Sequence, residues 1–262
     1  VKAYVKRGKS DALEAEAICE AVQRPTMRFV PAKTGEQQAI LTVHRTRSLL
    51  VRQRTMLANA LRAHLAELGH VANLGIANLV KLTKEALADE NALLPMARTA
   101  LEMLMRQVMT VSDEIAVLDR QLLAWHAQSE ASRRLSGIPG LGILTATALA
   151  ATVTDPNQFR SGRQFAAWLG LTPQQHSTGG KTRLAGISKQ GDRYLRRLLV
   201  VGATAVIRHI KDNPTPVASW ARKLMEKKPF RIVSVALANK LARIAWVVLT
   251  RKETYQPFKL AA

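Results

Sequence analysis

The sequence predicts a mainly α-helical protein: a long helical coiled-coil hairpin followed by an all-α C-terminal region that contains a helix-hairpin-helix. Three observations carry that expectation. Two long stretches repeat apolar residues in steps of three and four, the helical period. After Leu135, glycine-punctuated turns alternate with short helical patterns. Hydrophobic residues make up 47% of the 262 positions, enough for a packed core, although only 5% are aromatic. That length suits one large domain or two ordinary ones.

The chain starts basic, and a first helix is expected from Ser10, with Ser10 or Asp11 as N-cap and Leu13, Ala17, Ile18 and Val22 as its apolar stripe. Asp11 and Glu14 lie three residues apart at the helix start, so both carboxylates share one side, while Glu16 points elsewhere. Two readings fit this pair. One is a capping acid with dipole-favourable company in the first turn; the other is a divalent-metal site that draws further oxygen ligands from elsewhere. Cys19 is the single cysteine, which excludes an internal disulfide and a cysteine-based zinc site. It is expected to pack as a small apolar residue.

Pro25 and Pro31 make residues 24–33 a connector. At Thr34 a capping box, Thr34-Gly35-Glu36-Gln37, opens a long helix that runs to Gly69. Its apolar positions include Ile40, Val43, Leu50, Leu57, Leu61, Leu65 and Leu68, and its other faces carry Arg45, Arg47, Arg52, Arg54 and Arg62. Residues 70–95 read as a looser connector. A second long helix follows, with Leu101, Leu104, Val108, Val111, Ile115, Leu118, Leu122 and Trp125 in a heptad seam. The two helices are expected to pair as an antiparallel hairpin that also supports dimerisation.

Residues 135–151 read as the helix-hairpin-helix. Its Ile-Pro-Gly-Leu-Gly turn places Gly140 and Gly142 where backbone amides approach a phosphate, at the start of a helix beginning near Leu144. Such a grip holds the nucleic-acid backbone without reading bases. The competing reading is a glycine that simply turns a pair of helices. Asp155-Pro156 starts another turn, and residues 159–169 are expected to be helical, with Phe165 and Trp168 in the core. A loop at residues 176–181 (His-Ser-Thr-Gly-Gly-Lys) comes next, and then a helix from Asp192. Lys181, Arg183, Lys189, Arg193, Arg196, Arg197 and Arg208 make seven cations near that loop, opposed by Asp192, and are read as phosphate contacts rather than as a solvated face. The last two helices are expected near residues 217–227 and 229–251, after a link with Pro214 and Pro216. The tail past Thr254 reads as unstructured.

Lys and Arg number 39 against 19 acids, a formal charge of +20. So basic a chain repels itself unless a polyanion shares the space, and DNA or RNA is the partner expected. No uninterrupted apolar run reaches membrane-spanning length, and the start lacks the apolar segment of a signal peptide. The expectation is a cytoplasmic, bacterial-type, nucleoid-associated protein with no membrane partner. The initial Val reads as an alternative start or a position inside a longer reading frame. Ser177, Thr178 and Ser188 are the candidate hydroxyls. Ser177 fits attack on a phosphodiester best, with flexible Gly179-Gly180 and Lys181 beside it. A serine in a glycine loop is also read as a turn former or phosphate donor, and His176 as a general base or an exposed loop residue.

These segments carry a resemblance. IPGLGILTATALAA, FRSGRQFAAWLGLTP and HSTGGKTRLAGISKQGDRYLRRLL resemble the C-terminal domain of the insertion-sequence one-ten family of transposases, also called DEDD transposases or bridge-RNA-guided recombinases. KSDALEAEAICEAVQRPTMRFVPAKTGEQQ is similar to the end of that family's RuvC-like domain, so the resemblance covers essentially the whole chain. It implies a C-terminal remnant of an RNase H/RuvC-like (DEDD) domain at residues 1–33, a helical coiled-coil region at 34–134, and a transposase domain with helix-hairpin-helix and serine loop at 135–262. Lys9, Asp11 and Glu14 match the lysine and the last two acids of the family's acidic tetrad, which implies that Asp11 and Glu14 hold magnesium. Ser177 matches the serine that joins DNA covalently, in a composite site where acids of one subunit meet the serine of another. A guide (bridge) RNA and a homodimer or tetramer are implied as well.

Two departures qualify the match: the first two acids of the tetrad lie upstream of this chain, and Glu14 stands where the family usually has Asp. The function expected is that of an insertion-sequence transposase, cleaving and recombining DNA through a serine nucleophile and magnesium-binding acids, with activity impaired by the missing front portion. The alternatives are a non-catalytic nucleic-acid-binding and dimerising remnant, and a structure-specific nuclease that cuts through water.

Overall fold

Helices carry almost all the regular structure, as the periodicities predict. The computed structural model describes every residue except 1–3, 5–9, 26, 28, 90–92, 182, 211–214 and 258–262, so the readings placed on Lys9 and Pro214 lie outside the described residues. The chain divides into two compact units, Val1–Ala32 and Lys33–Ala262.

The first unit is built on helix α1, Asp11–Val22, with Ser10 in the extended N-cap position but making no side-chain cap bond. Its buried residues are Ala17 and Ala21. The expected stripe is therefore only partly used: Ile18 and Val22 remain 51% and 57% exposed. Cys19 is also exposed, contrary to the packing role expected of it. Only the narrow alanine edge of this short helix is covered.

In the second unit, Thr34 forms the full capping box with Gln37 and starts helix α2, Gly35–Glu67. Residues 70–95, expected to be a connector, contain helix α3, Ile76–Ala88, started by Gly75 at φ 104°. Leu79, Thr83 and Ala86 give α3 a buried stripe at helical spacing, too short to stand out between glycines and a polar stretch. Helix α4, Pro95–Gln128, buries Leu101, Val108, Ile115 and Leu122, one residue per heptad, with Val111 between them. Leu61 and Leu65 near the end of α2 cluster with Leu101 and Val108, while Ile40 and Leu41 near its start cluster with Leu122. The two long helices therefore run antiparallel, and Arg47 of α2 makes a two-pronged bond to Asp119 of α4.

Helices α5, Glu130–Ser136, and α6, Ile143–Thr152, pack across the turn at 137–142. A single 3-10 turn, Pro156–Gln158, capped by the Asp155 side chain, precedes helix α7, Gly162–Trp168. That helix is shorter than the expected 159–169, because the Ser161 side chain caps it. Phe159 lies before the cap and packs edge-on to Phe165 at 5.1 Å between ring centroids. The loop expected at residues 176–181 is the tip of an antiparallel hairpin of β1, Pro173–Gln175, and β2, Leu184–Ile187, strands the sequence reading did not include. Helices α8, Arg193–Arg208, α9, Pro216–Met225, and α10, Phe230–Arg251, complete the unit. Past Thr254, Tyr255 packs against the core instead of trailing free.

At 22 residues α10 is long and apolar enough to cross a bilayer. Its Val233, Leu237, Leu241 and Val248 are buried against the helices around it, and Arg231, Lys240 and Arg243 interrupt its apolar run, so it is the core helix of this unit. Helix α8 lies across the turn between α5 and α6 at unusually short range. A Cβ on Gly202 would meet the Gly140 carbonyl oxygen at 1.9 Å, and one on Gly140 would meet the Gly202 oxygen at 2.9 Å. Gly202→Ala is expected to destabilise the protein by about 1–3 kcal/mol through overpacking and to lower the thermal midpoint by several degrees in calorimetry. Gly186→Ala, in open space on β2, is expected to leave it unchanged.

Candidate functional site

The serine loop is a β-hairpin tip. Pairing continues beyond the strands: the His176 amide donates to the Arg183 carbonyl at 2.8 Å, and the Lys181 amide donates to the Thr178 carbonyl at 3.0 Å. Gly179 and Gly180 then close the chain at φ 54° and 75°. Left-handed backbone at both central residues is the type I′ geometry that matches strand twist, and it favours glycine at each. Ser177 sits one residue before Thr178 and is exposed. Strand alternation puts Gln175 on the same face, and its Nε2 donates to Ser177 Oγ at 2.8 Å. The serine keeps its own proton to donate. An amide cannot accept that proton, so this partner holds the hydroxyl without activating it. The role of Gln175 was readable only once residues 173–187 were known to pair.

The hairpin base is held by the Ser188 amide on the Thr172 carbonyl at 2.9 Å and the Lys189 amide on the Gly170 carbonyl at 3.2 Å. Arg196 Nη1 donates to the carbonyls of Leu169, at 2.9 Å, and Gln190, at 2.8 Å. Arg196 thus staples the two chain segments at the base. Arg197 turns toward α2, where Nη2 donates to Ser48 Oγ at 3.2 Å and the guanidinium lies 5.2 Å from the Tyr194 ring centroid. Arg208, at the far end of α8, is about 22 Å along the helix from Arg193. The expected cluster of seven therefore divides. Lys181, Arg183, Lys189 and Arg193 are exposed on the hairpin and the first turn of α8, Arg196 and Arg197 are tied into the fold, and Arg208 is remote.

Gly140 faces α8, where its close approach to Gly202 gives it a packing role. Gly142 is exposed, occupies the N-cap of α6 and provides no side-chain cap. Asp11 and Glu14 are exposed in the first turn of α1 and belong to the first unit; Ser177 and its cations belong to the second. Magnesium takes about six oxygen ligands in near-octahedral geometry. Among the described residues no group of three or more His, Cys, Asp or Glu side chains is placed to hold a metal ion. Two carboxylates do not by themselves fit the ion, and no step is assigned to it.

One buried polar network escaped the sequence reading. His44 of α2 is 1% exposed; its Nε2 lies 3.0 Å from Thr147 Oγ1 of α6 and its Nδ1 lies 3.0 Å from the Tyr194 hydroxyl of α8. Thr147 Oγ1 donates to the Ile143 carbonyl at 2.7 Å, so it accepts from His44 Nε2–H, and the Tyr194 hydroxyl donates to Nδ1. Burial first, then the Arg47 charge, pushes the His44 pKa from 6.5 down to about 4, against the opposing pull of Asp119. Beside the network a cavity of about 290 Å³ is lined by Lys33, Arg45, Ser48, Arg52 and Asp192. A histidine inside an arginine-rich helix gives no sequence signal of burial; its partners come from two other helices.

Comparison with known proteins places these residues in a family. Residues 132–220 match the family described as Transposase IS116/IS110/IS902, and residues 1–70 match a family of DEDD-type IS110 transposases. The chain is 48% identical over 260 residues to a probable family 20 transposase of Pseudomonas aeruginosa, covering 98% of this chain and 77% of that protein. The chain belongs to the IS110/IS116/IS902 family of transposases. It is also similar to the transposase of insertion sequence element IS1111A of Coxiella burnetii, 40% identical over 98% of this chain and 71% of the relative. A putative transposase of Sinorhizobium fredii is 46% identical over 97% of this chain and 66% of the relative. Transposases of this family are DNA-cleaving and recombining enzymes that bind DNA, and the hairpin, α8 and the turn at 137–142 all fall within the segment matched at 132–220.

Two measurements check the site. Between about pH 6.5 and pH 4 the unfolded chain takes up a proton on this histidine that the folded transposase excludes. The contribution of neutral His44 is thus complete above pH 6.5 and lost as pH falls toward 4, roughly 3 kcal/mol in all. Denaturant titrations at pH 7.5 and 4.5 are expected to show that loss, and His44→Gln is expected to flatten it. Magnesium titration of the whole chain is expected to show binding no tighter than about millimolar; micromolar binding that Asp11→Asn removes would instead mean that further ligands complete the pair.

Proposed function

We propose that this chain binds the DNA backbone through the hairpin and α8 and attacks it with Ser177. The supporting observation is the position of Ser177, exposed near the tip of a type I′ hairpin, held by Gln175 Nε2 at 2.8 Å, with Lys181 and Arg183 on the returning strand. Ser177 Oγ attacks phosphorus and forms a P–O bond. The bond from phosphorus to one sugar oxygen breaks, and the serine proton is relayed to that oxygen, so the sugar leaves as a hydroxyl. One phosphodiester is exchanged for another, so the ester survives for rejoining. Lys181, Arg183, Lys189 and Arg193 offset charge developing on the phosphate oxygens, and the amides at Gly142 add a backbone contact at the start of α6.

In this reading residues 1–33 form the end of a RuvC-like domain, 34–134 a helical arm that mediates dimer or tetramer formation, and 135–262 the transposase domain. Asp11 and Glu14 contribute to a magnesium site only when joined by other acids, in a composite site that brings acids of one subunit to the serine of another. A guide RNA selects the DNA, and the protein works on the bacterial nucleoid. The second reading, a non-catalytic DNA-binding and dimerising module, is favoured by one observation: the hydrogen-bond partner of Ser177 is an amide that cannot act as a base.

Incubation with magnesium and a nicked DNA substrate is expected to yield a low level of SDS-resistant protein–DNA adduct that disappears in Ser177→Ala while DNA affinity stays unchanged. Loss of the adduct in Ser188→Ala but not in Ser177→Ala would reassign the nucleophile. Intact DNA binding with no adduct from any variant would establish the non-catalytic reading.

A further inference from the structure

A groove of about 820 Å³ opens at the base of the hairpin. One wall is the hairpin itself, through Pro173 and residues 185–187; the floor is the outer side of α10, and Trp220 of α9 also lines it. Its chemistry is one-sided. Lys189, Arg231, Lys240 and Arg243 line it, and among the described residues no carboxylate does. Lys240 Nζ lies 5.1 Å from the Trp220 ring centroid; burial and the neighbouring Arg243 charge push its pKa down. Crowded cations without a counter-ion are relieved by a bound anion.

The floor argues for more than phosphate. Ile232, Val235 and Ala236 line the groove beside these cations, and Ile232 is 53% exposed. The opposite face of the same helix, from Val233 to Val248, is already buried in the core. A DNA duplex hides the faces of its bases by stacking and gains little from such a floor. Unpaired bases have free faces to lay on it and on the Trp220 ring, with their phosphates on the surrounding cations, as in single-strand channels that combine a basic groove with aromatic platforms. The volume falls within the range of ligand clefts, about 300–1,000 Å³, which seats a short unpaired stretch.

We propose that this groove binds single-stranded nucleic acid, with phosphates on Lys189, Arg231 and Arg243 and bases over Ile232 and Val235. The inference rests on the reading of the hairpin as the element that meets nucleic acid, and it adds the form of the strand: unpaired where it passes the hairpin base.

Fluorescence anisotropy on the whole chain, with labelled oligo-thymidylate, oligo-uridylate and duplex DNA of equal length, tests it. Arg231→Gln/Arg243→Gln is expected to weaken single-strand binding about tenfold or more and to lower the salt slope by about 1.4, for two lost phosphate contacts. Both arginines are exposed, so folding is retained, and thermal melts verify it. Ile232→Glu, also at an exposed position, is expected to weaken single strands more than duplex. Stronger binding of the thymidylate strand assigns the groove to displaced DNA, and stronger binding of the uridylate strand assigns it to RNA. Unchanged single-strand affinity in the double variant, or equal losses for duplex and single strands in Ile232→Glu, would overturn the proposal. So would a change in sedimentation with no change in oligonucleotide affinity, which would give the groove to a second copy of the chain. These readouts are oligonucleotide affinities and need no covalent step, so absence of a covalent adduct would sink the serine assignment without touching this result.

Discussion

Where the turn at 137–142 meets α8, backbone touches backbone with no room for a side chain: a Cβ on Gly202 would sit 1.9 Å from the Gly140 carbonyl. That approach sets how far α8 lies from α5 and α6, and α8 in turn carries the hairpin base through Arg196. A second contact of the same kind fixes the hairpin base itself, since a Cβ on Gly191 would meet the Trp168 carbonyl at 1.9 Å. Close packing transmits such constraints because the interior has little free volume to absorb them. The serine hairpin is thus an exposed element on a base that cannot easily shift.

The same economy governs the charges. In a chain of formal charge +20, a cluster of arginines around one loop reads as a phosphate cradle, yet geometry gives several of them other work. Arg196 bonds two carbonyls, while Arg197 reaches Ser48 across to α2. What remains for a polyanion is a smaller set around the hairpin, with a separate group on α10. The neutral His44 network ties α2, α6 and α8 together, so the long helical arm is joined to the hairpin-bearing helices by specific hydrogen bonds as well as by apolar contact. Buried networks of this kind specify a unique arrangement because leaving any member unpaired is costly.

Membership in the IS110/IS116/IS902 transposases gives this surface its context. The exposed hairpin, the uncapped start of α6 and the groove beside α10 lie on the second unit, while the two acids lie on the first. Two exposed carboxylates one helical turn apart are too few for a metal centre of their own.

Much of the architecture was legible from local pattern. The Thr34 capping box, the heptad repeat of Leu101, Val108, Ile115 and Leu122, and the start of α8 at Asp192 depend on neighbours in sequence or on helical period, and each stands where the residues point. Sequence also marked Ser177, Gly179, Gly180 and Lys181 as one loop. It did not reveal the hairpin, because strands of three and four mostly exposed residues carry no alternating apolar signal. Nor did it reveal the exposure of Cys19, the helix within residues 70–95, or the burial of His44. Which arginines face solvent and which bind backbone is likewise decided by partners distant in sequence: Arg197 and Ser48 are 149 residues apart, and His44 and Tyr194 are 150. Period and capping are properties of a segment, whereas burial and partnership belong to the packed chain, and only tertiary structure assigns them.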